Sequence, residues 1–160
     1  MTEPVDMSVE ELRAERARLQ AQEDAVSFVR RVAQGRLDLA RDERTRREEN
    51  RPSVDVTTDL AALFGQEHGG GSSRPPRDTA VSLDHPFVKQ LDALCDEIGF
   101  GALSALDVDS LDAAIDRLGN FEHTCSTERR TLFERIDALT SELVSRYKSG
   151  GASVDTLLDD

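Results

Sequence analysis

Two long stretches with a heptad pattern of apolar residues limit the fold of this chain more than any other feature of its sequence. Steps of three and four place residues on one face of a helix, so each pattern predicts a helix with a narrow apolar seam. The first seam consists of Leu12, Leu19, Val26, Ala33, Leu37 and Ala40. The second consists of Leu111, Ile115, Leu118, Cys125, Leu132, Ile136, Leu139 and Leu143. Helices this long rarely stand alone in water, so we expect the two seams to pack against each other.

Helix start and stop signals predict where these helices lie. The first long helix is predicted over residues 8–49, where Ser8 is a good N-cap and Glu11 is its capping-box partner. Residues 84–148 are expected to form a short helix, capped by Asp84, and then the second long helix.

The rest of the chain is not expected to form part of the helical core. Residues 51–80 are rich in Gly, Ser and Pro and predict a flexible, disordered linker, with a short amphipathic piece at 59–64 that could be a docking helix or a fraying turn. Residues 149–160 are expected to be a loose tail. No segment alternates with period two. The fold class predicted is therefore all-α: a long antiparallel helical hairpin or coiled coil with a short additional helix and a disordered linker.

The charge of the chain restricts its partners. The 32 acidic residues outnumber the 20 basic ones, giving a net charge of −12, which disfavours direct binding to DNA. The distribution is uneven, because residues 12–51 hold 11 Arg and 8 acids whereas residues 78–112 hold eight acids and one base. The first helix could thus face an anion, and the middle of the chain a basic partner.

No feature predicts a membrane, secretory or metal-binding protein. The sequence has no apolar run long enough to span a bilayer, and its acidic start lacks the apolar region of a secretory signal, so a cytoplasmic location is expected. Cys95 and Cys125 form neither a disulfide framework nor, with His85 and His123, a zinc signature. No catalytic motif is visible, so we expect no enzymatic activity.

A set of polar residues repeats beside the two seams. Its first copy is Glu23, Ser27, Arg30, Gln34 and Asp38, and its second is Glu122, Ser126, Arg129, Phe133 and Asp137. The copies share the spacing 4, 3, 4, 4, agree in four of five residue types and are offset by 122 − 23 = 99 positions. Each copy lies on one helical face, and two copies on antiparallel helices would converge around a local two-fold axis.

The residue types of this repeat suit a guanine nucleotide. Arginine can donate two hydrogen bonds to O6 and N7 of guanine, aspartate can accept from its N1–H and N2–H edge, and Ser and Gln can donate to phosphate oxygens. Two symmetric copies would match a ligand that is itself two-fold symmetric and carries guanines and phosphates. A plain charged coiled coil, in which these residues set the register or bind a carboxylate-rich helix, is the alternative.

The pattern Glu23-x3-Ser27-x2-Arg30-x3-Gln34-x3-Asp38 resembles the cyclic-di-GMP signature of the RsiG-type anti-sigma factors, the actinobacterial aerial mycelium formation protein family. The resemblance covers the two long helices. The first copy fits at all five positions, whereas the second has Phe133 where the signature has Gln. The resemblance implies that a stacked pair of cyclic-di-GMP molecules binds between the helices, and that the loaded protein keeps a WhiG-type sporulation sigma factor from RNA polymerase.

The resemblance also implies roles for individual residues. Arg30, Arg129, Asp38 and Asp137 would contact guanines, and Ser27, Ser126, Gln34, Glu23 and Glu122 would complete the pocket. The competing hypothesis is an acidic coiled-coil adaptor that holds a basic protein partner without any nucleotide, and whose binding weakens steeply with salt.

Overall fold

A computed structural model of the protein describes residues 3–51 and 84–149. In these two ranges the chain forms three α-helices and no β-strand: α1 (Val9–Glu48), α2 (Pro86–Glu97) and α3 (Val108–Ser149). Short 3-10 helices occupy Pro4–Asp6 and Phe100–Ala105. The predicted linker with its 59–64 piece and the predicted tail lie outside the described residues, apart from residues 51 and 149 at their borders.

The described residues belong to two compact units. In the first, the part of α1 up to residue 31 packs against the part of α3 from residue 122 onward. Residues further along α1 contact residues nearer the start of α3: Glu15 pairs with Arg135 (3.5 Å), and Glu23 pairs with Arg129 (2.8 Å). The two helices therefore run antiparallel, and the prediction of an all-α fold with a long helical hairpin is confirmed.

The second unit contains residues 32–121 and has the same direction of packing. Arg44 of α1 pairs with Asp112 near the start of α3 (2.7 Å), and Arg47 donates to the carbonyl oxygens of Leu103 and Leu106, just before it. The short helix α2 contributes Leu91 to the core of this unit, where it is 3% exposed.

The apolar seams are buried as predicted, with one exception. Every seam residue of α1 is at most 5% exposed. The seam residues of α3 are equally buried, except Ile136 and Ile115. Ile136 is still buried, whereas Ile115 is only half-buried and Ala114 takes its place at 1% exposed. The prediction for Ile115 is wrong because a step of three and then four from Leu111 to Leu118 fits a heptad as well as four and then three.

The ends of the helices follow local hydrogen-bonding chemistry. Ser8 and Glu11 form the predicted capping box, in which the Glu11 amide donates to Ser8 Oγ (3.2 Å) and the Ser8 amide to Glu11 Oε2 (2.6 Å). The predicted Asp84 cap is wrong: His85 caps α2, because its Nδ1 accepts from the amide of Phe87 (3.3 Å). Gly99, with φ of +67°, follows the C-cap of α2 and adopts the left-handed conformation that glycine tolerates without steric cost.

No helix within residues 3–51 and 84–149 combines the length and hydropathy that crossing a bilayer requires.

Candidate functional site

Reciprocal ion pairs join the two copies of the polar repeat inside the first unit. Arg30 of α1 donates through Nη1 to Oε1 of Glu122 on α3, at 2.9 Å. Arg129 of α3 donates through Nε to Oε1 of Glu23 on α1, at 2.8 Å. The arginine of each copy therefore binds the glutamate of the other copy, which is the arrangement expected of a local two-fold axis between antiparallel helices.

The serine of each copy completes the arrangement. Ser27 Oγ donates to Oε1 of Glu23 (2.5 Å), and Ser126 Oγ donates to Oε1 of Glu122 (3.0 Å). Each glutamate thus accepts from an arginine on the opposite helix and from a serine one turn along its own helix. We call the six residues of these contacts the ionic lattice: Glu23, Ser27, Arg30, Glu122, Ser126 and Arg129.

A buried apolar residue lies within each half of the ionic lattice. Val26 and Cys125, which correspond to each other under the offset of 99, are 2% and 0% exposed, and each lies between the glutamate and the arginine of its own helix. The charged side chains of the lattice are less deeply buried, from 13% exposed for Glu23 to 39% for Arg129. Partial burial strengthens these ion pairs relative to fully exposed ones while leaving the charged groups within reach of a ligand.

Burial and the lattice contacts together shift the pKa values of Glu122 and Cys125. Burial raises the pKa of the Glu122 carboxyl, but hydrogen bonds from Arg30 and Ser126, together with the charge of Arg30, outweigh it, so that the pKa lies below its ordinary value. Burial, and then the charge of Glu122, raise the pKa of the Cys125 thiol to about 11. Glu122 is therefore an anion at neutral pH, and Cys125 is a neutral core residue without nucleophilic character.

Three of the predicted site residues lie outside the lattice. Gln34 and Asp38 are exposed on α1 within residues 32–121, and Asp38 lies 3.9 Å from Arg41 of its own helix. Asp137 is exposed on α3, two turns beyond Arg129. The structure therefore brings six of the nine predicted residues into one network of contacts.

Phe133, the departure from the repeat, has a defined role in the second copy. The guanidinium carbon of Arg129 lies 4.8 Å from the centroid of the Phe133 ring, which is a cation–π distance. The ring itself is 39% exposed. Phe133 therefore supports one face of the Arg129 guanidinium rather than packing into the core.

Sequence reasoning missed the cross-helix pairing of arginine with glutamate. A signal was present, because Glu and Arg stand seven residues apart on each helix at corresponding seam positions, and antiparallel packing brings such positions opposite one another. Nor does the sequence pattern indicate that Arg13 and Tyr147 line one groove. Among the described residues, no group of three or more His, Cys, Asp or Glu side chains is arranged to hold a metal ion.

The fold and the ionic lattice define a class of helical proteins in which two helices of a single chain present matched charged side chains to each other. The chain matches the RsiG-like family over residues 2–63 and 99–160, and it belongs to that family. Each matched segment contains one copy of the polar repeat. Membership indicates an anti-sigma factor role with a sigma factor as partner, in a family linked in general to cyclic-di-GMP regulation. A search among curated proteins found no match.

Proposed function

We propose that this protein is an anti-sigma factor that binds cyclic-di-GMP between α1 and α3 and, in that state, keeps a sporulation sigma factor of the WhiG type from RNA polymerase. The observation that carries the proposal is the reciprocal pairing of Arg30 with Glu122 and of Arg129 with Glu23. It supports a two-fold symmetric ligand because two equivalent sets of donors face a common axis. In this proposal the protein acts by binding in the cytoplasm, catalyses no reaction and does not contact DNA.

The chemistry of the lattice is consistent with a guanine nucleotide. Each arginine now donates to a carboxylate, and a phosphate or the O6 and N7 edge of guanine offers acceptors of the same kind. The serine hydroxyls can turn from the glutamates to a phosphate oxygen, since a hydroxyl donor rotates to suit its acceptor. Exposed Asp38 and Asp137 would accept from the N1–H and N2–H edge that only guanine presents.

Charge balance identifies the additional residues that the ligand needs. The two arginines and two glutamates of the lattice cancel, whereas a stacked pair of cyclic dinucleotides carries four phosphate charges. Arg31 and Arg130 are equivalent under the offset of 99, are exposed, and form no ion pair within the described part of the chain. We assign to them the compensation of two of these four charges. Arg36, a third candidate from the sequence, instead contacts Asp92 (3.4 Å) and Cys95 (3.0 Å) in the second unit.

Isothermal titration of the full chain with cyclic-di-GMP tests the ligand. We expect Arg30→Ala and Arg129→Ala each to weaken binding by about 30-fold or more, the effect of losing roughly 2 kcal/mol of charge-assisted hydrogen bonding. Arg117→Ala is the matched control, because Arg117 pairs with Glu97 in the second unit and has no lattice contact. No heat at high micromolar ligand would end the proposal.

A second measurement tests the partner. A purified WhiG-type sigma factor should be retained by the immobilised chain when cyclic-di-GMP is present and lost when it is omitted. Linkage requires that the sigma factor tighten cyclic-di-GMP binding by the same factor, which titration of the mixture measures. Retention that is indifferent to the nucleotide would instead favour an adaptor that works without a small ligand.

A further inference from the structure

A groove lies in the first unit, away from the ionic lattice. It runs between the start of α1 and the end of α3, has a volume of about 320 Å³ and is lined by both polar and apolar groups. Arg13, Arg16 and Gln20 border it on the α1 side, and Thr140, Val144 and Tyr147 on the α3 side. We call it the arginine groove. Arg16 lies seven residues, or two helical turns, before Glu23, so the groove and the lattice use different turns of the same helices.

The two arginines of this groove carry charge that the described residues leave without an acidic partner. Of the carboxylates near these arginines, Glu11 belongs to the capping box, Glu15 pairs with Arg18 (2.7 Å) and Glu142 pairs with Arg146 (2.7 Å). Glu10, one turn before Arg13, is exposed and pairs with neither arginine. Neither Arg13 nor Arg16 forms an ion pair in the ranges 3–51 and 84–149. Positive charge that stays unpaired on a chain of net charge −12 marks this groove as a place for an external carboxylate.

Apolar side chains stand exposed beside these charges. Val144 is 44% exposed and Tyr147 is 45% exposed, although both face the groove. The guanidinium of Arg13 lies 5.6 Å from the Tyr147 ring centroid and donates to its hydroxyl group, which fixes the ring as one wall. Leu143, 3% exposed, closes the floor. An occupant must therefore offer both apolar side chains and negative charge.

The geometry points to a helix as that occupant. The groove follows two antiparallel helices and extends from Arg13 to Gln20, a length of roughly 10 Å or two helical turns. A third helix lying along such a groove places residues i, i+3, i+4 and i+7 against it. Apolar residues at those positions would cover Val144 and Tyr147, and an adjacent Asp or Glu would reach Arg13 or Arg16.

We propose that the arginine groove docks an acidic amphipathic helix of the partner sigma factor. This inference rests on the proposed function for the identity of the partner, and it adds a contact surface separate from the nucleotide site. Charge complementarity supplies the orientation, because the two guanidinium groups favour carboxylates on one side of the helix and the exposed Val144 and Tyr147 favour apolar residues on the other.

Two substitutions in the full chain test the groove, with purified WhiG-type sigma factor and cyclic-di-GMP as the probes. We expect Arg16→Glu and Val144→Glu each to weaken sigma-factor binding by roughly tenfold or more, while cyclic-di-GMP affinity measured without the sigma factor stays unchanged. The matched controls are Lys148→Glu, which reverses one charge as Arg16→Glu does, and Val108→Glu, which replaces the same residue type as Val144→Glu. Both positions are exposed on α3 and do not line the groove. Both controls should bind as the wild type does.

Cross-linking identifies the occupant. A photoreactive phenylalanine analogue at position 144 should attach to a sigma-factor peptide whose sequence is an acidic amphipathic helix. Attachment to a basic sigma-factor peptide, to residues 150–160 of the same chain or to a second copy of the chain would overturn the proposal. If the wild type binds the sigma factor and Arg16→Glu binds equally well, the groove proposal falls alone; if the wild type does not bind it at all, the proposed function falls too.

Discussion

Replacing Glu122 with Gln removes one charge from the ionic lattice and leaves the size of the side chain unchanged. Glu122 accepts hydrogen bonds from Arg30 (2.9 Å) and Ser126 (3.0 Å), and both can still donate to the amide oxygen of Gln. The loss is therefore the charged part of the interaction. A hydrogen bond to a charged group contributes about 1.5–3 kcal/mol when buried, and an exposed ion pair about 0–1 kcal/mol.

The magnitude follows from the exposure of the pair. The side chains of Arg30 and Glu122 are 26% and 24% exposed, so the value lies between those limits, and we expect Glu122→Gln to lower the free energy of unfolding by about 1 kcal/mol. For a chain of this size the corresponding fall in Tm is about 2–4 °C. Thermal unfolding followed by far-UV circular dichroism, without nucleotide, measures it.

Glu128→Gln is the matched control, because Glu128 is exposed on the same helix and forms no ion pair with any described residue. Its Tm should stay at the wild-type value. If the two variants unfold at the same temperature, Glu122 does not stabilise the hairpin and the lattice is not an energetic feature of the nucleotide-free protein.

The pH dependence gives a second check on the same variant. The lattice lowers the pKa of Glu122 below its ordinary value of 4.5, so its stabilising contribution is complete above pH 4.5 and is lost as the pH falls through the lowered pKa. Gln does not titrate. The difference in Tm between wild type and Glu122→Gln should therefore shrink in acid, and a difference that stays constant with pH would contradict the assignment.

Three further measurements test the core and the helix ends. Leu118→Ala should lower the free energy of unfolding by about 2–5 kcal/mol in denaturant titrations, because Leu118 is fully buried, and a loss below about 1 kcal/mol would contradict the seam. Ser8→Ala should cost about 1 kcal/mol by breaking the capping box with Glu11, and no loss would show that α1 begins elsewhere. Cys125, with a pKa of about 11, should resist a maleimide at neutral pH until the chain unfolds, as mass spectrometry can show; rapid labelling of the folded protein would contradict its burial.

The sequence could predict those parts of the fold that depend on local pattern and burial. The α1 seam and the Ser8 capping box needed only helical periodicity and the preference of Ser for an N-cap. Periodicity alone could not decide whether Ala114 or Ile115 is the buried seam residue, because both positions satisfy the heptad spacing. The His85 cap was missed because Asp84 is the stronger N-cap type, although Pro86, which favours the first helical position, had already marked His85 as the residue before the helix.

The sequence could predict which residues form the candidate site but not which of them pair with each other. Repetition with one spacing indicated which residues belong together. The pairing of Arg30 with Glu122 depends on the register between two helices whose paired residues are 92 positions apart, and the sequence holds no direct measure of that register. For the same reason the arginine groove, built from both ends of the chain, could not be read from either end alone.

The asymmetry at Phe133 bears on how the lattice would serve a ligand. Glu23 holds the Nε edge of Arg129, and the Phe133 ring lies against one face of the same guanidinium. A guanidinium held on one edge and one face keeps a fixed orientation. Ligand binding therefore does not have to order this long side chain, which lowers the entropic cost of binding. In the first copy Gln34 offers no ring to Arg30. Under the proposed function Arg129 would therefore meet the nucleotide in a fixed orientation.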